Sequence, residues 1–172
     1  MNFFSALNTF SKTRLSWLLL FFFIVFFIAC AYTFQHVMAL DPCVMCIYER
    51  IAMIGIGISA LFAAINPQIL LFRWLGILAW GATSLKGLLL ALEHVSYQNN
   101  IFATCSPLLF PDWAPLNKWL PSFFEATGSC SEVVWQFVTL SMPQWLVIIF
   151  AASFAVACII AISQCFGTKR SN

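Results

Sequence analysis

The sequence carries very little charge. Only 8% of its 172 residues are Asp, Glu, Lys or Arg, whereas a water-soluble domain has about 25%. So few charged side chains cannot cover the surface of a soluble domain, which excludes a water-soluble globular protein. The formal net charge is only +2 and no basic run with interleaved aromatic residues occurs, so nothing in the sequence indicates nucleic-acid binding.

The sequence is instead rich in long runs of apolar residues. Hydrophobic residues make up 62% of the chain, and the mean hydropathy is +0.93. A membrane-spanning helix needs about 20 mostly apolar residues, and four runs meet this requirement: 15–34, 43–65, 72–92 and 144–163. No internal repeat is visible. The predicted fold is therefore an all-α integral membrane protein, a single domain over residues 1–172 built as a four-transmembrane-helix bundle.

Basic residues predict the orientation of the bundle, because short cytoplasmic flanks are enriched in Lys and Arg. Five basic residues fall on one side of four spans: Lys12, Arg14, Arg73, Lys169 and Arg170. That face, with both termini, is predicted to be cytoplasmic. The outer loops, about 35–42 and 93–143, have only Lys118 as a basic residue. The outer face also holds every acidic residue and four of the seven cysteines: Cys43, Cys46, Cys105 and Cys130.

The second outer loop has a helix-like apolar pattern. Its large apolar residues recur at helical intervals: Trp113, Leu116, Trp119, Leu120, Phe123 and Phe124. Pro115 and Pro121 interrupt a single long helix. We predict one or two short helices lying in the membrane interface. Ordinary loop packing is the alternative.

The four outward cysteines allow three pairings. Cys43 and Cys46 are near enough in sequence to bond at a helix start, and Cys105 and Cys130 would then pair across the long loop. Both bonds are open to interpretation as structural staples. A bond that closes a two-residue gap removes little unfolded-state entropy, so a redox role is favoured for Cys43–Cys46.

The stretch DPCVMCIYER places this cysteine pair at the start of a span. Asp41 is the predicted N-cap and Pro42 the first helical residue. The positive end of a helix lowers a thiol pKa and favours the thiolate. Arg50 follows Cys46 by four residues and Cys43 by seven, so all three share one helix face, with Glu49 about 100° away. Arg50 is predicted to partner a thiolate or a reduced ligand, with snorkelling to the interface as the alternative.

Several segments together resemble the DsbB family of bacterial disulfide-bond-forming membrane oxidases. They are FQHVMALDPCVMCIYER, EHV, FATC, FPDWAPLNKWLPSFFEATGSC and MPQWL, and the resemblance covers about residues 15–165. It implies an inner-membrane enzyme whose cysteine-bearing loops face the periplasm. Such an enzyme reoxidises DsbA, a thioredoxin-fold thiol oxidase, and passes electrons to a membrane quinone, either ubiquinone or menaquinone.

The resemblance also implies roles for single residues. Cys105 is similar to the cysteine that forms the mixed disulfide with DsbA, and Cys130 to its bonded mate. Cys43 and Cys46 are similar to the membrane-proximal pair, with Cys46 meeting the quinone. Arg50 resembles the quinone-site arginine, and His94 is a second candidate there, with a water-facing histidine as the alternative.

Other functions stay open at this point. One is a soft-metal permease with Cys43, Cys46 and His36 or His94 as ligands, although no cysteine pair or acidic residue lines the middle of a span, and we predict no metal. A second is a structural subunit stapled by disulfides. A third is a DsbB-like paralogue with a dedicated partner. The remaining cysteines, Cys30, Cys158 and Cys165, are interpreted as small apolar residues of packed spans.

Overall fold

The computed structural model describes residues 3–100, 105, 110 and 114–166. Its elements are α1 (Phe3–Ser11), α2 (Arg14–His36), α3 (Val44–Ile65), α4 (Leu70–Gln98), α5 (Leu116–Trp119), α6 (Pro121–Phe124), β1 (Gln136–Phe137), β2 (Leu140–Ser141) and α7 (Met142–Phe166). In the described part of the chain, α2, α3, α4 and α7 are long and apolar enough to cross a membrane. The structure is therefore a four-helix membrane bundle, as the sequence predicts.

Helix α3 is the most buried of the four and packs against α2 on one side and α4 on the other, while α7 packs on α4. Close approach depends on small residues. A Cβ at Gly76 would collide with Ala63, and one at Gly87 would collide with the buried ring of Phe150. Large apolar side chains such as Phe22 and Leu78 point outward, as expected for a surface covered by lipid.

Two helices differ from the predicted runs. Helix α4 continues to Gln98, beyond the apolar run that ends at Leu92, so His94 lies within the helix. Helix α1 precedes the first span and was not predicted, since it is too short to register as a span.

A closed polar cluster ties α1, α4 and α7 together at one end of the bundle. Gln164 Oε1 accepts hydrogen bonds from Arg73 Nε at 2.9 Å and from Asn8 Nδ2 at 3.3 Å. Gln164 Nε2 donates to Ser11 Oγ at 3.0 Å. At the same end, Arg14 Nη2 donates to the Ile65 carbonyl at 2.9 Å.

Three of the five basic residues used for orientation thus lie at this end, because Gln68 also binds the Lys12 carbonyl, at 2.9 Å. Lys169 and Arg170 lie outside the described residues.

The long loop folds over the opposite end. It contains the two short helices α5 and α6, as predicted, and a two-stranded antiparallel hairpin, β1–β2. Trp113 lies outside the described residues. The loop is pinned to the start of α3, because the amides of Thr127 and Gly128 both donate to the Pro42 carbonyl at 3.0 Å.

Candidate active site

A cysteine caps the N-terminus of α3. Helix α3 begins at Val44, and Cys43 is its N-cap, with Sγ accepting a hydrogen bond from the Cys46 amide at 3.3 Å. The prediction of Asp41 as N-cap was wrong. Asp41 instead accepts a hydrogen bond from the Thr127 hydroxyl at 3.0 Å. The bridge between Cys43 and Gly128 holds Cys43 in an extended conformation, so the helix starts later.

The two thiols of this motif are almost in bonding position. Cys43 and Cys46 are free, and their sulfurs lie 2.7 Å apart, whereas a disulfide closes at about 2.05 Å. Cys43 is only 3% exposed. The hydrogen bond with the Cys46 thiol lowers the pKa of Cys43 below its ordinary value, and this outweighs the opposing effect of burial. The pair is arranged for thiol–disulfide chemistry.

The second pair packs directly on the first. Cys105 and Cys130 form a disulfide, which is one of the three pairings that the sequence allows. Cys130 is buried in one cluster with Cys43 and Met45, and Cys46 and Cys105 pack against that cluster. The fold therefore brings all four predicted cysteines together, although 25 residues separate Cys105 from Cys130.

Arg50 is buried next to the motif, with only 7% of its surface exposed. Its Nη1 donates to the Phe123 carbonyl at 2.6 Å and to Gln35 Oε1 at 3.0 Å. The guanidinium carbon lies 4.6 Å from the centre of the Phe123 ring. Arg50 Nε has no hydrogen-bond partner among the described residues. The side chain is thus fixed against α2 and α6, yet one donor is left unused.

A cavity of about 390 Å³ lies beside Arg50, between α2, α3 and the start of α7. Its wall is mostly apolar and includes Phe34, Trp135 and Leu146. The wall residues with a thiol or a charged group are Cys30, Asp41, Cys46, Glu49 and Arg50. Cavities of this size and character hold small apolar ligands that carry a few polar groups. One cysteine of the Cys43–Cys46 pair, called the inner pair below, therefore faces a candidate ligand site.

His94 lies behind the cysteine pair. It is 3% exposed, with Nε2 lying 3.4 Å from Cys43 Sγ and Nδ1 lying 3.0 Å from Glu49 Oε1. The alternative of a water-facing histidine was wrong. Among the described residues, His94 is not part of the large cavity's wall, but it lines a smaller neighbouring one with Cys43 and Cys46.

Comparison with known proteins decides the family. Residues 13–160 match the family model described as "Disulfide bond formation protein DsbB". The chain belongs to the DsbB family.

Curated relatives agree along almost the whole chain. The chain is 62% identical to "Disulfide bond formation protein B" of Vibrio cholerae, over 99% of this chain and 100% of that protein. It is 58% identical to the protein of the same name from Aliivibrio fischeri, over 95% and 99% of the two chains. For Shewanella loihica the identity is 43%, over 97% and 99%. Membership of the DsbB family makes the chain an oxidoreductase of disulfide bond formation in a membrane.

Glu49 is the site residue that the sequence analysis missed. Helical spacing puts it about 100° away from Arg50, and on that ground no role was assigned to it. In the structure it is 2% exposed, binds His94 through Oε1, and has no partner for Oε2 among the described residues. Its position three residues after Cys46, inside an apolar span, was the available signal, because ionisable residues within spans are expensive and usually functional.

Proposed function

We propose that this DsbB family member reoxidises a periplasmic DsbA-like thioredoxin-fold oxidase and passes the electrons to a membrane quinone. Cys105–Cys130 receives them, and Cys43–Cys46 carries them to the carrier. The observation that supports this order is the position of Cys46. Its side chain lines the apolar cavity within the bundle, while Cys43 packs against Cys130 of the loop pair.

The cavity residues fit a quinone. The wall is mostly apolar, as a quinone ring and its isoprenoid chain require, and Arg50 Nε is a buried donor without a partner among the residues that the structure describes. Such a donor costs about 1–3 kcal/mol when it stays unpaired, and a ring oxygen is a suitable acceptor. Cys46 and Arg50 would hold the head group, with ubiquinone and menaquinone equally suitable. When bound, the quinone supplies the two-electron acceptor.

A lipid-soluble acceptor also fits the energetics. The reduction potential of the DsbA dithiol–disulfide couple is about −120 mV, which is already strongly oxidising. For a two-electron couple, each difference of about 30 mV corresponds to about 1.4 kcal/mol. Reoxidation of DsbA therefore needs an acceptor that is more oxidising still and constantly renewed. One disulfide in a loop accepts electrons only once, whereas a carrier pool in the bilayer is replenished.

The proposed location is the bacterial inner membrane, with both termini cytoplasmic and the cysteine-bearing loops periplasmic. Its support is the clustering of Lys12, Arg14 and Arg73 at the end of the bundle opposite the cysteines. The soft-metal alternative has some geometric support, since the ligand atoms of Cys43, Cys46 and His94 lie within 4.8 Å of one another. These residues occupy one end of the bundle, however, and a permease needs ligands along its path.

The direct test is anaerobic turnover of the purified protein with a reduced DsbA-like partner and either ubiquinone or menaquinone. We expect one quinone molecule to be reduced for each partner molecule that is oxidised. A protein that oxidises the partner only once, whichever quinone is present, would contradict the proposal. Partners from unrelated thiol oxidases, run in parallel, separate a general enzyme from a paralogue with a dedicated partner.

The loop pair has its own test. Cys130→Ser removes the resolving thiol, so a mixed disulfide between Cys105 and the partner is expected to accumulate, because nothing remains to displace it. The complex is measured on a non-reducing gel, with Cys158→Ser as the matched control. If Cys130→Ser traps no partner while Cys105→Ser does, the roles of the two cysteines are reversed.

A further inference from the structure

We propose that Glu49 and His94 form a proton path that carries the proton of Cys43 to the carrier in the cavity. This inference rests on the proposed function, and it assigns a catalytic role to a residue that the sequence analysis left without one. It concerns protons, whereas the roles given above to the cysteines and Arg50 concern electrons and charge.

The path has two short steps. Cys43 Sγ lies 3.4 Å from His94 Nε2, and His94 Nδ1 lies 3.0 Å from Glu49 Oε1. All three side chains are almost fully buried, although Cys43 and His94 also line the smaller neighbouring cavity. An imidazole is suited to such a relay, since it accepts a proton on one nitrogen and releases one from the other.

The far end of the path reaches the cavity. Glu49 is a wall residue of the large cavity, whereas Cys43 and His94 are not among its described wall residues. Glu49 Oε2 is buried and has no hydrogen-bond partner in the part of the chain that the structure describes. A buried oxygen without a partner is costly. Oε2 would accept a hydrogen bond from a hydroxyl of the reduced carrier or, once the carboxyl group is protonated, donate one to a ring oxygen. Glu49 therefore links the cysteine pair to the ligand site.

The stoichiometry of the reaction requires that two protons leave the cysteine pair and two reach the carrier. When Cys43 and Cys46 close to a disulfide, the two thiols lose two electrons and two protons, and the quinone gains both to become a hydroquinone. Cys46 lines the cavity, so its proton has direct access. The Cys43 proton passes to His94 Nε2, the Nδ1 proton passes to Glu49 Oε1, and the carboxyl group gives up a proton to the carrier's oxygen.

The decisive variant is Glu49→Gln. The glutamine amide oxygen still accepts the hydrogen bond from His94 but takes up no proton, so the geometry is kept and the relay is lost. Glu93→Gln is the matched control. It removes an acid from the residue next to His94, but Glu93 is exposed and its carboxylate accepts a hydrogen bond from the Tyr97 hydroxyl, at 3.0 Å.

In a single turnover from the reduced Cys43–Cys46 pair to ubiquinone, Glu49→Gln should slow quinone reduction by about 100-fold or more, as loss of general acid–base catalysis does. Glu93→Gln should keep the wild-type rate. A wild-type rate in folded Glu49→Gln would overturn the path while leaving the proposed function intact. Failure of the wild-type protein to reduce ubiquinone or menaquinone would instead overturn the proposed function.

A second readout needs no quinone. The infrared difference spectrum between the dithiol and disulfide forms should contain a carboxyl signal that Glu49→Gln removes and Glu93→Gln retains. If Glu49→Gln does not fold, Glu49→Asp decides the question, because its carboxyl signal should persist at a shifted frequency. A difference spectrum without any carboxyl signal in the wild type, or an unshifted one in Glu49→Asp, overturns the proposal.

Discussion

Arg50 and Arg73 are both buried in spanning helices, at opposite ends of the bundle, but they differ in how their donors are used. Arg73 is 6% exposed and closes a complete network, with Nε on Gln164 at 2.9 Å and Nη1 on the Pro67 carbonyl at 2.9 Å. Arg50 is equally buried but keeps Nε without a partner among the described residues, beside a cavity.

The difference separates a structural charge from a reactive one. A charged side chain at the centre of a bilayer costs about 2.5–3.5 kcal/mol, so a buried arginine needs a reason to be retained. Arg73 has its reason in the contacts that join α1, α4 and α7. Arg50 has a donor that is unused among the described residues, beside the cavity wall that Cys46 shares, as the proposed quinone site requires. The cysteine end should therefore control activity, and the Arg73 end should control stability.

The largest effect is expected from Cys46→Ser, at the end of the bundle that carries the cysteines. Without the sulfur that lines the cavity, quinone reduction should fall to background, while the loop pair should still accept electrons from the partner once. Stopped-flow absorbance of the quinone, beside a single-turnover partner assay, measures both. Cys158→Ser is the control. Quinone reduction at a normal rate in Cys46→Ser would remove the inner pair from the pathway.

Arg50→Leu comes next. In a low-dielectric site, loss of one donor to a developing charge costs about 2–4 kcal/mol, so the quinone step should slow or the quinone KM should rise to that extent. Arg50→Lys should lose less, because the charge remains but the forked geometry does not. Steady-state kinetics at varied quinone concentration measure the effect.

Exchange between the partner and Cys105–Cys130 serves as the internal control for Arg50→Leu, and it should stay nearly unchanged. Wild-type quinone kinetics in this variant would make Arg50 an anchor like Arg73. Lys86, an exposed cation within α4, would be the next residue to test.

Gln164→Leu tests the polar cluster at the opposite end of the bundle and should affect stability only. It leaves Arg73 Nε without its buried partner, a loss that costs about 1–3 kcal/mol. Asn8 and Ser11 each lose one bond but keep those to the Ser163 and Asn8 carbonyls. The thermal midpoint in detergent should fall, while turnover per folded molecule should match the wild type. Gln68→Ala, at an exposed position of the same end, should shift the midpoint little. A fall in quinone turnover at constant folded fraction would show that this end is also catalytic.

The smallest effect is expected from Cys30, Cys158 and Cys165 replaced together by alanine. Cys158 and Cys165 are exposed on the outer surface of the bundle. Cys30 is half-buried on the wall of the large cavity, where alanine keeps a small apolar surface, so turnover should be close to that of the wild type. In intact cells, after reduction, an impermeant thiol reagent should label Cys105 and Cys130 but not Cys165. Labelling of Cys165 from outside would reverse the proposed orientation.

The sequence predicted the features that depend on the spacing of neighbouring residues. Apolar length predicted four spans, and helical spacing predicted that Cys46 and Arg50 share a face, as they do on the cavity wall. Apart from the Cys105–Cys130 pair, contacts between distant segments were not predictable. Glu49 meets His94 only because α3 packs against α4, and Arg50 meets the Phe123 carbonyl only because the loop folds back. Asp41 failed as an N-cap because a long-range bridge from Gly128 overrode the local preference.

The two amides that bind the Pro42 carbonyl have a consequence for how the two sulfur pairs communicate. Thr127 and Gly128 fix the loop two residues before Cys130, and Gly128 has no room for a side chain because a Cβ there would collide with the Asp41 carbonyl. One end of the loop disulfide is therefore anchored by the main chain, independently of the bond to Cys105. Main-chain hydrogen bonds that involve no sulfur therefore set the position of Cys130 relative to the helix-start pair.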